Sequence, residues 1–259
     1  MVDPEYILQY LDSLSINKKK GLVLGNGPSL NQVDFKALKK SDITTFATNR
    51  IAAICKREDW LPDFYVCVFA EPLRGRRIKL PKLGEELNYP GDISVAESAQ
   101  RDIEYMCYNP NVTCFVHEYY RCFLKPELVT NSFFVYPRKW DRKKDLPESI
   151  FSKITPGQFM WHSATSQLFQ LAFWLGIENI GIVGQDGFDL SLKINHYDGY
   201  VGAEQNRAKF DLANRRMEKL HTAVRNYVVN HGLETYNISE KSVISNWHKK
   251  ASFEEFIKI

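Results

Sequence analysis

No stretch of this sequence approaches the roughly 18 uninterrupted apolar residues that a membrane-spanning helix needs, and nothing near Met1 joins a positively charged start to an apolar run. The expectation is a cytoplasmic protein, not secreted by a signal peptide. The five cysteines, Cys55, Cys67, Cys107, Cys114 and Cys122, are odd in number and contain no CxxC pair, which fits neither a zinc site nor a small disulfide framework. They read as reduced, partly buried thiols. An excess of one charge is missing too: the net charge is +3 over 259 residues, with no basic stripe to call for nucleic acid. The clusters Lys18 to Lys20, Arg74 to Lys82 and Arg138 to Lys144 read as solvated faces, leaving phosphate contact or peripheral association with an inner membrane surface open. There is no Asp-x-Asp triplet, so no essential metal is expected, although Asp186 and Asp189, three apart, keep Mg²⁺ with nucleotide phosphates open. A GxSxG elbow, a Walker A loop and a GxGxxG fingerprint are also absent.

What is present is the rhythm of an α/β fold. An amphipathic start, Pro4 to Leu14, predicts a helix. Lys20 to Gly25 is a short apolar run ending in glycine, the mark of a buried strand. A short helix over Gln32 to Leu38, a β-branched strand over Ile43 to Thr48, a helix over Ile51 to Lys56 and an aromatic-rich strand over Phe64 to Phe69 follow. From Leu73 to Pro156 prolines recur and only short strand-like pieces stand out, Val112 to Val116 and Phe133 to Tyr136, so 73–156 reads as an irregular insertion or lid. The pattern strengthens at Ser163 to Leu175, a mostly buried helix stopped by Gly176. A buried strand over Ile180 to Gly184, a long helix over Glu204 to Asn230 and a last strand over Glu234 to Ile238 complete it. The expected architecture is a single domain, 1–259, with a Rossmann-like, mostly parallel sheet and helices on both faces.

Two strands end in glycine loops, Gly25-Asn26-Gly27-Pro28-Ser29 and Gly184-Gln185-Asp186-Gly187. Ligands of open parallel sheets bind at the carboxyl ends of strands, so both loops belong on one rim. Glycine lets backbone approach a phosphate or base, and amides at a helix start can bind an anion. The same residues also fit a tight strand-to-helix turn with Pro28 at the first helical position.

The stretch Leu22 to Leu30 followed by Val33-Asp34, and the run Leu175 to Asp186 with His196-Tyr197 behind it, resemble the bacterial sialyltransferases of glycosyltransferase family 42. Thr45 to Arg50 and Asp63 to Cys67 resemble the related domain-of-unknown-function 115 group, which includes motility-associated flagellin glycosyltransferases and archaeal pterin pyrophosphokinases. The resemblance implies a GT-A-like sialyltransferase variant of the fold. It also implies an inverting transfer of an acidic sugar, sialic or another ulosonic acid, from a cytidine monophosphate (CMP) donor to a glycan or glycoprotein acceptor. It points to Gly25, Asn26, Gly27, Ser29 and Asn49, to Ser163, Ala164 and Thr165 at the start of the buried helix, and to Gly184, Gln185, Asp186 and Phe188 as donor contacts. His196 matches the general base, and Tyr197 and Tyr200 are nearby hydroxyls for the leaving phosphate. Two departures, Trp161 where arginine is often found and Gly187-Phe188-Asp189 without the usual tyrosine, leave the sugar open. The implied partners are the nucleotide-sugar and the glycan acceptor, with self-association open. A pterin-type pyrophosphokinase using ATP and Mg²⁺ and a non-catalytic nucleotide-binding protein of glycan assembly are the alternatives.

Overall fold

Leu22 and Leu24 are buried in one apolar core and Val23 in another. Successive side chains of a strand point to opposite faces, so this alternation marks β1 (Lys20–Leu24) as a strand covered on both sides. The computed structural model that contains it describes residues 4–14, 18–68, 76–79, 86–89, 93–135, 138–139, 145–151, 160–161, 163–187, 207–239 and 242–259.

The further strands are β2 (Thr44–Thr48), β3 (Phe64–Cys67), β4 (Arg76–Lys79), β5 (Glu86–Tyr89), β6 (Thr113–His117), β7 (Ser132–Val135), β8 (Arg138–Lys139), β9 (Met160–Trp161), β10 (Asn179–Val183), β11 (Glu234–Asn237) and β12 (Lys249–Lys250). The helices are α1 (Pro4–Ser13), α2 (Phe35–Lys40), α3 (Ala52–Glu58), α4 (Ile93–Cys107), α5 (Ala164–Trp174), α6 (Arg207–Asn230) and α7 (Phe253–Lys258). Eight strands form one sheet in the order β12-β11-β10-β1-β2-β3-β6-β7, and every pair in it is parallel. Two small ribbons, β4-β5 and β8-β9, stand apart from it.

Helices cover both faces, as the apolar periodicities predict. Phe35 and Leu38 of α2, Ile54 and Cys55 of α3, Ile103 and Met106 of α4, and Phe253 and Phe256 of α7 pack in the core with Leu22 and Leu24. Ile7 and Leu11 of α1, Leu168 to Trp174 of α5 apart from the polar Gln170, and Leu220 and Val224 of α6 pack with Val23 on the opposite side. α5 is buried from Thr165 to Trp174 and lies across β1, β2 and β3. It is started by a capping box between Ser163 and Ser166 and stopped before Gly176, whose φ of +72° suits glycine.

The stretch 73–156 differs from the expected irregular insertion. Its middle supplies α4 and two strands of the main sheet, β6 inside it and β7 at its edge. Among the buried positions of α4, Ala96, Ala99, Ile103 and Met106 have helical spacing, but two of these four are alanines, so the apolar stripe is faint in sequence. The edge strand β12 and helix α7 lie beyond the last predicted strand. No helix among the described residues is long and apolar enough to cross a membrane.

Four of the five thiols are buried, Cys122 being the exposed one, and burial pushes Cys55 up to about 12, which keeps it a thiol at neutral pH. Near the β12 edge two buried imidazoles meet. His221 Nδ1 of α6 lies 2.8 Å from His248 Nε2, and His248 Nδ1 lies 2.8 Å from Thr235 Oγ1 of β11. Burial, and then the charge of Arg225, push His248 down to about 3; burial, and then His248, hold His221 well below the usual histidine range. Both are therefore neutral in the folded chain when the unfolded chain has begun to take up protons. Their contribution to stability is fully present above pH 6.5 and is lost as the pH falls below it, toward 3 for His248. Urea unfolding at a series of pH values should show stability falling between pH 6.5 and pH 5, by about 1.6 kcal/mol from His248, with His221 adding a loss of the same sign. An unchanged midpoint over that interval contradicts the buried neutral pair.

Candidate functional site

The order of the sheet makes one position special. From β1 the chain winds outward through β2, β3, β6 and β7, then returns to place β10 on the other side of β1 and continues through β11 and β12. β1 and β10 are thus neighbours across the switch point, where a crevice opens beyond their carboxyl ends. Leu24 pairs with Val183, so the two glycine loops leave the sheet side by side.

The loops interlock. Gly25 N–H donates to Val183 O at 2.8 Å, Gly27 N–H to Gly184 O at 2.8 Å, Gly184 N–H to Ser29 Oγ at 2.8 Å, and Ser29 N–H to Asp186 Oδ2 at 2.9 Å. A Cβ on Gly25 would lie 2.2 Å from Gly184 O and 2.2 Å from Gln185 Nε2; one on Gly27 would lie 2.1 Å from Asp186 Oδ2. Gly25 is therefore required by the backbone of the second loop, and a side chain at Gly27 would have to displace the Asp186 carboxylate. The room that the sequence reserves for a phosphate is filled by Gly184, Gln185 and Asp186.

Neighbouring segments are tied to the same seam. Ser29 Oγ and Ser239 Oγ are 2.7 Å apart, Ser242 Oγ donates to Gln185 O at 2.7 Å, and Gln185 Nε2 donates to Thr165 Oγ1 at 3.0 Å. The last bond brings the start of α5, with Ser163 and Ala164, to the crevice. On the β2 side Asn26 Nδ2 donates to Thr48 O at 3.1 Å, which sets Asn49 beside the first loop. Gly25, Asn26, Gly27, Ser29, Asn49, Thr165, Gly184, Gln185 and Asp186 thus meet on one rim. Phe188, Asp189, His196, Tyr197 and Tyr200 lie outside the described residues, as does Tyr136.

The electrostatics of the rim differ from those of a phosphate loop. The short 3-10 helix Pro28–Gln32 offers its first amides to an anion, but Ser29 N–H is already held by the Asp186 carboxylate and Leu30 N–H by Gly27 O. The anion that occupies this turn belongs to the chain. Asn26 Oδ1, Asn49 Oδ1 and Asp186 Oδ1 are meanwhile buried without a hydrogen-bond partner among the described residues. All three are acceptors, so the group they suit is a donor, such as a ribose hydroxyl or the amino group of a base. Beside Ser239 a cavity of about 480 Å³ opens, lined also by Gln32, Asn237, Lys250 and Glu254.

Further along the rim, at the carboxyl end of β6, His117 Nδ1 accepts from Tyr119 N–H at 3.2 Å, which leaves its proton on Nε2. Burial, opposed by Glu118, pushes this imidazole down to about 4. No group of three or more metal-ligating side chains forms among the described residues. The sequence reading missed Tyr65, whose hydroxyl donates to Asn49 O at 2.6 Å. Inside an apolar strand pattern nothing in the sequence separates it from a core aromatic.

The arrangement is that of a doubly wound parallel α/β fold. No family model and no curated protein matches the sequence. Among solved structures, the MAf glycosyltransferase from Magnetospirillum magneticum AMB-1 aligns with 92% of this chain and 34% of its own, at 12% identity and a TM-score of 0.52. The monofunctional α-2,3-sialyltransferase Cst-I from Campylobacter jejuni aligns with 93% of this chain and 83% of its own, at 12% identity and TM-score 0.49. The sialyltransferase CST-II, solved with a trisaccharide acceptor and CMP, aligns with 92% of this chain and 88% of its own, at 14% identity and TM-score 0.45. The chain shares the fold of the MAf protein, of which it spans about a third.

The interlock has a direct test. Gly27→Ala drives a methyl group into the Asp186 carboxylate and should cost about 1–3 kcal/mol in urea unfolding. In an Asp186→Gly background the same substitution should cost much less, because the clashing carboxylate is gone. Equal costs in the two backgrounds contradict the close approach.

Proposed function

We propose that the chain is a glycosyltransferase that takes an acidic sugar from a CMP-activated donor and passes it, with inversion, to a hydroxyl of a glycan acceptor. The observation that carries this reading is the switch-point crevice with three buried acceptor oxygens, on Asn26, Asn49 and Asp186, that lack partners among the described residues. A cytidine nucleoside offers matching donors, the ribose hydroxyls and the exocyclic amine, whereas a phosphate offers only acceptors. The fold shared with a MAf glycosyltransferase is consistent with it.

In this reading the nucleoside lies over Gly25, Asn26, Gly27, Asn49, Gly184 and Asp186, with Ser163 to Thr165, Gln185 and Phe188 around it. Ser29 acts by holding the loops together, since its hydroxyl and amide are engaged within the chain. His196 takes the proton of the acceptor hydroxyl as that oxygen bonds to the anomeric carbon. The bond from that carbon to the donor phosphate oxygen breaks, and CMP leaves with the electron pair. Tyr197 and Tyr200 donate hydrogen bonds to the departing phosphate, whose negative charge is repelled from Asp186. An acceptor carried at the inner membrane surface fits a chain placed at that surface.

Thermal unfolding with CMP, CDP, UDP and ATP, each with and without Mg²⁺, tests the donor class. CMP at about 100 times its Kd should stabilise the fold by about 2.7 kcal/mol. Stabilisation by ATP with Mg²⁺ and not by cytidine nucleotides points to the pyrophosphokinase alternative and rejects the transferase. For the base, His196→Ala should lower kcat/KM for transfer by about 10²- to 10⁴-fold while CMP binding persists. Full activity in that variant removes His196 from the role.

A further inference from the structure

Asn49 is held in an unusual backbone conformation by Tyr65, Thr48 and Arg50, none of them among the donor contacts named above. Its φ is +53°, in the left-handed region, and Asp59 is the other non-glycine residue described there (φ +46°). Asp59 has an ordinary reason, since it ends α3 and its N–H bonds back to Cys55 O. Asn49 ends no helix: it directly follows β2 and opens the short 3-10 turn Asn49–Ile51. A residue kept in a sparsely populated conformation is stable only where its surroundings enforce it.

The enforcement comes from three directions. Tyr65, wholly buried in β3, donates its hydroxyl to Asn49 O at 2.6 Å. Thr48, the preceding residue, has its carbonyl held by Asn26 Nδ2 at 3.1 Å, and its own hydroxyl donates to Val66 O at 2.7 Å. Arg50, the following residue, reaches α4, with Nη2 3.3 Å from Ser98 Oγ and Nε 3.7 Å from the buried Asp102 carboxylate. With both neighbours fixed, the Tyr65 bond sets the orientation of the Asn49 peptide. The result is the Asn49 amide with its oxygen buried and unpartnered among the described residues.

We propose that Tyr65 is a positioning residue for nucleotide recognition: it touches no ligand, and it holds Asn49 in the left-handed conformation that presents its side-chain amide to the nucleoside. The inference rests on the donor-site reading above. Removing the hydroxyl leaves an aromatic ring of nearly the same volume in the core, so the fold persists and the loss falls on the Asn49 peptide.

Calorimetric titration of the full chain with CMP tests it, using four variants alongside the parent. Asn49→Gly keeps access to positive φ and deletes the amide; it should weaken CMP by tenfold or more, whereas Tyr65→Phe should weaken it by about 3- to 10-fold. Tyr120→Phe, at another buried tyrosine of the same core, controls for stability and should leave the affinity unchanged. In the double variant Tyr65→Phe with Asn49→Gly, affinity should equal that of Asn49→Gly alone, since no amide remains to position. CMP binding by Tyr65→Phe equal to the parent's, or additive losses in the double variant, overturns the inference while leaving the donor site standing. A parent chain that does not bind CMP sinks the donor site and this inference together.

Discussion

The seam between Gly25–Ser29 and Gly184–Asp186 is the constraint on which the rest of the carboxyl rim depends. Parallel strands β1 and β10 end in register, and each loop satisfies backbone groups of the other. Ser29 sits at the centre: its hydroxyl accepts from Gly184 N–H and pairs with Ser239, while its own N–H is held by Asp186. A buried polar group left unpaired costs about 1–3 kcal/mol, so neither loop keeps its shape alone. From this seam the chain reaches α5 through Gln185 and Thr165, and β2 through Asn26 and Thr48.

The seam also decides what the rim can bind. A glycine-rich turn leading into a helix is ordinarily an anion site, yet here the chain supplies the anion itself, with the Asp186 carboxylate on Ser29 N–H. What remains is a set of acceptor oxygens on Asn26, Asn49 and Asp186. A nucleotide seated there meets the rim with its ribose and base, and its phosphate has to find hydrogen-bond donors from other parts of the chain. Tyr197 and Tyr200 are the candidates in the proposed mechanism. In the proposed mechanism this division separates recognition of the nucleoside by the strand ends from chemistry at the phosphate.

The central strands were legible because their side chains follow simple rules. Lys20 to Leu24, Thr44 to Thr48 and Asn179 to Val183 are short apolar or β-branched runs with glycine or asparagine after them, and the sheet uses all three side by side. The two glycine loops could be placed on one rim from the strand rhythm alone. What could not be read was why the glycines are there, since the group that crowds Gly27 is Asp186, more than 150 residues away. α4 escaped notice because Ala96 and Ala99 bury little apolar surface, whereas the runs of β6 and β7 stood out as strand-like pieces whose place in the main sheet no local pattern reveals. Tyr65 was invisible for a different reason: its hydroxyl bonds to a backbone carbonyl of the neighbouring strand's loop, a contact with no sequence signature.

The central claim is that the switch-point seam is a nucleoside site. Amide hydrogen exchange followed residue by residue, with and without saturating CMP, tests it most directly. The account predicts slower exchange in the loops around Asn26, Asn49 and Gly184 to Asp186, and little change at the opposite ends of the strands. Protection that leaves these three loops untouched, or that appears at the amino-terminal rim around Asp63 and Asn109, would contradict it.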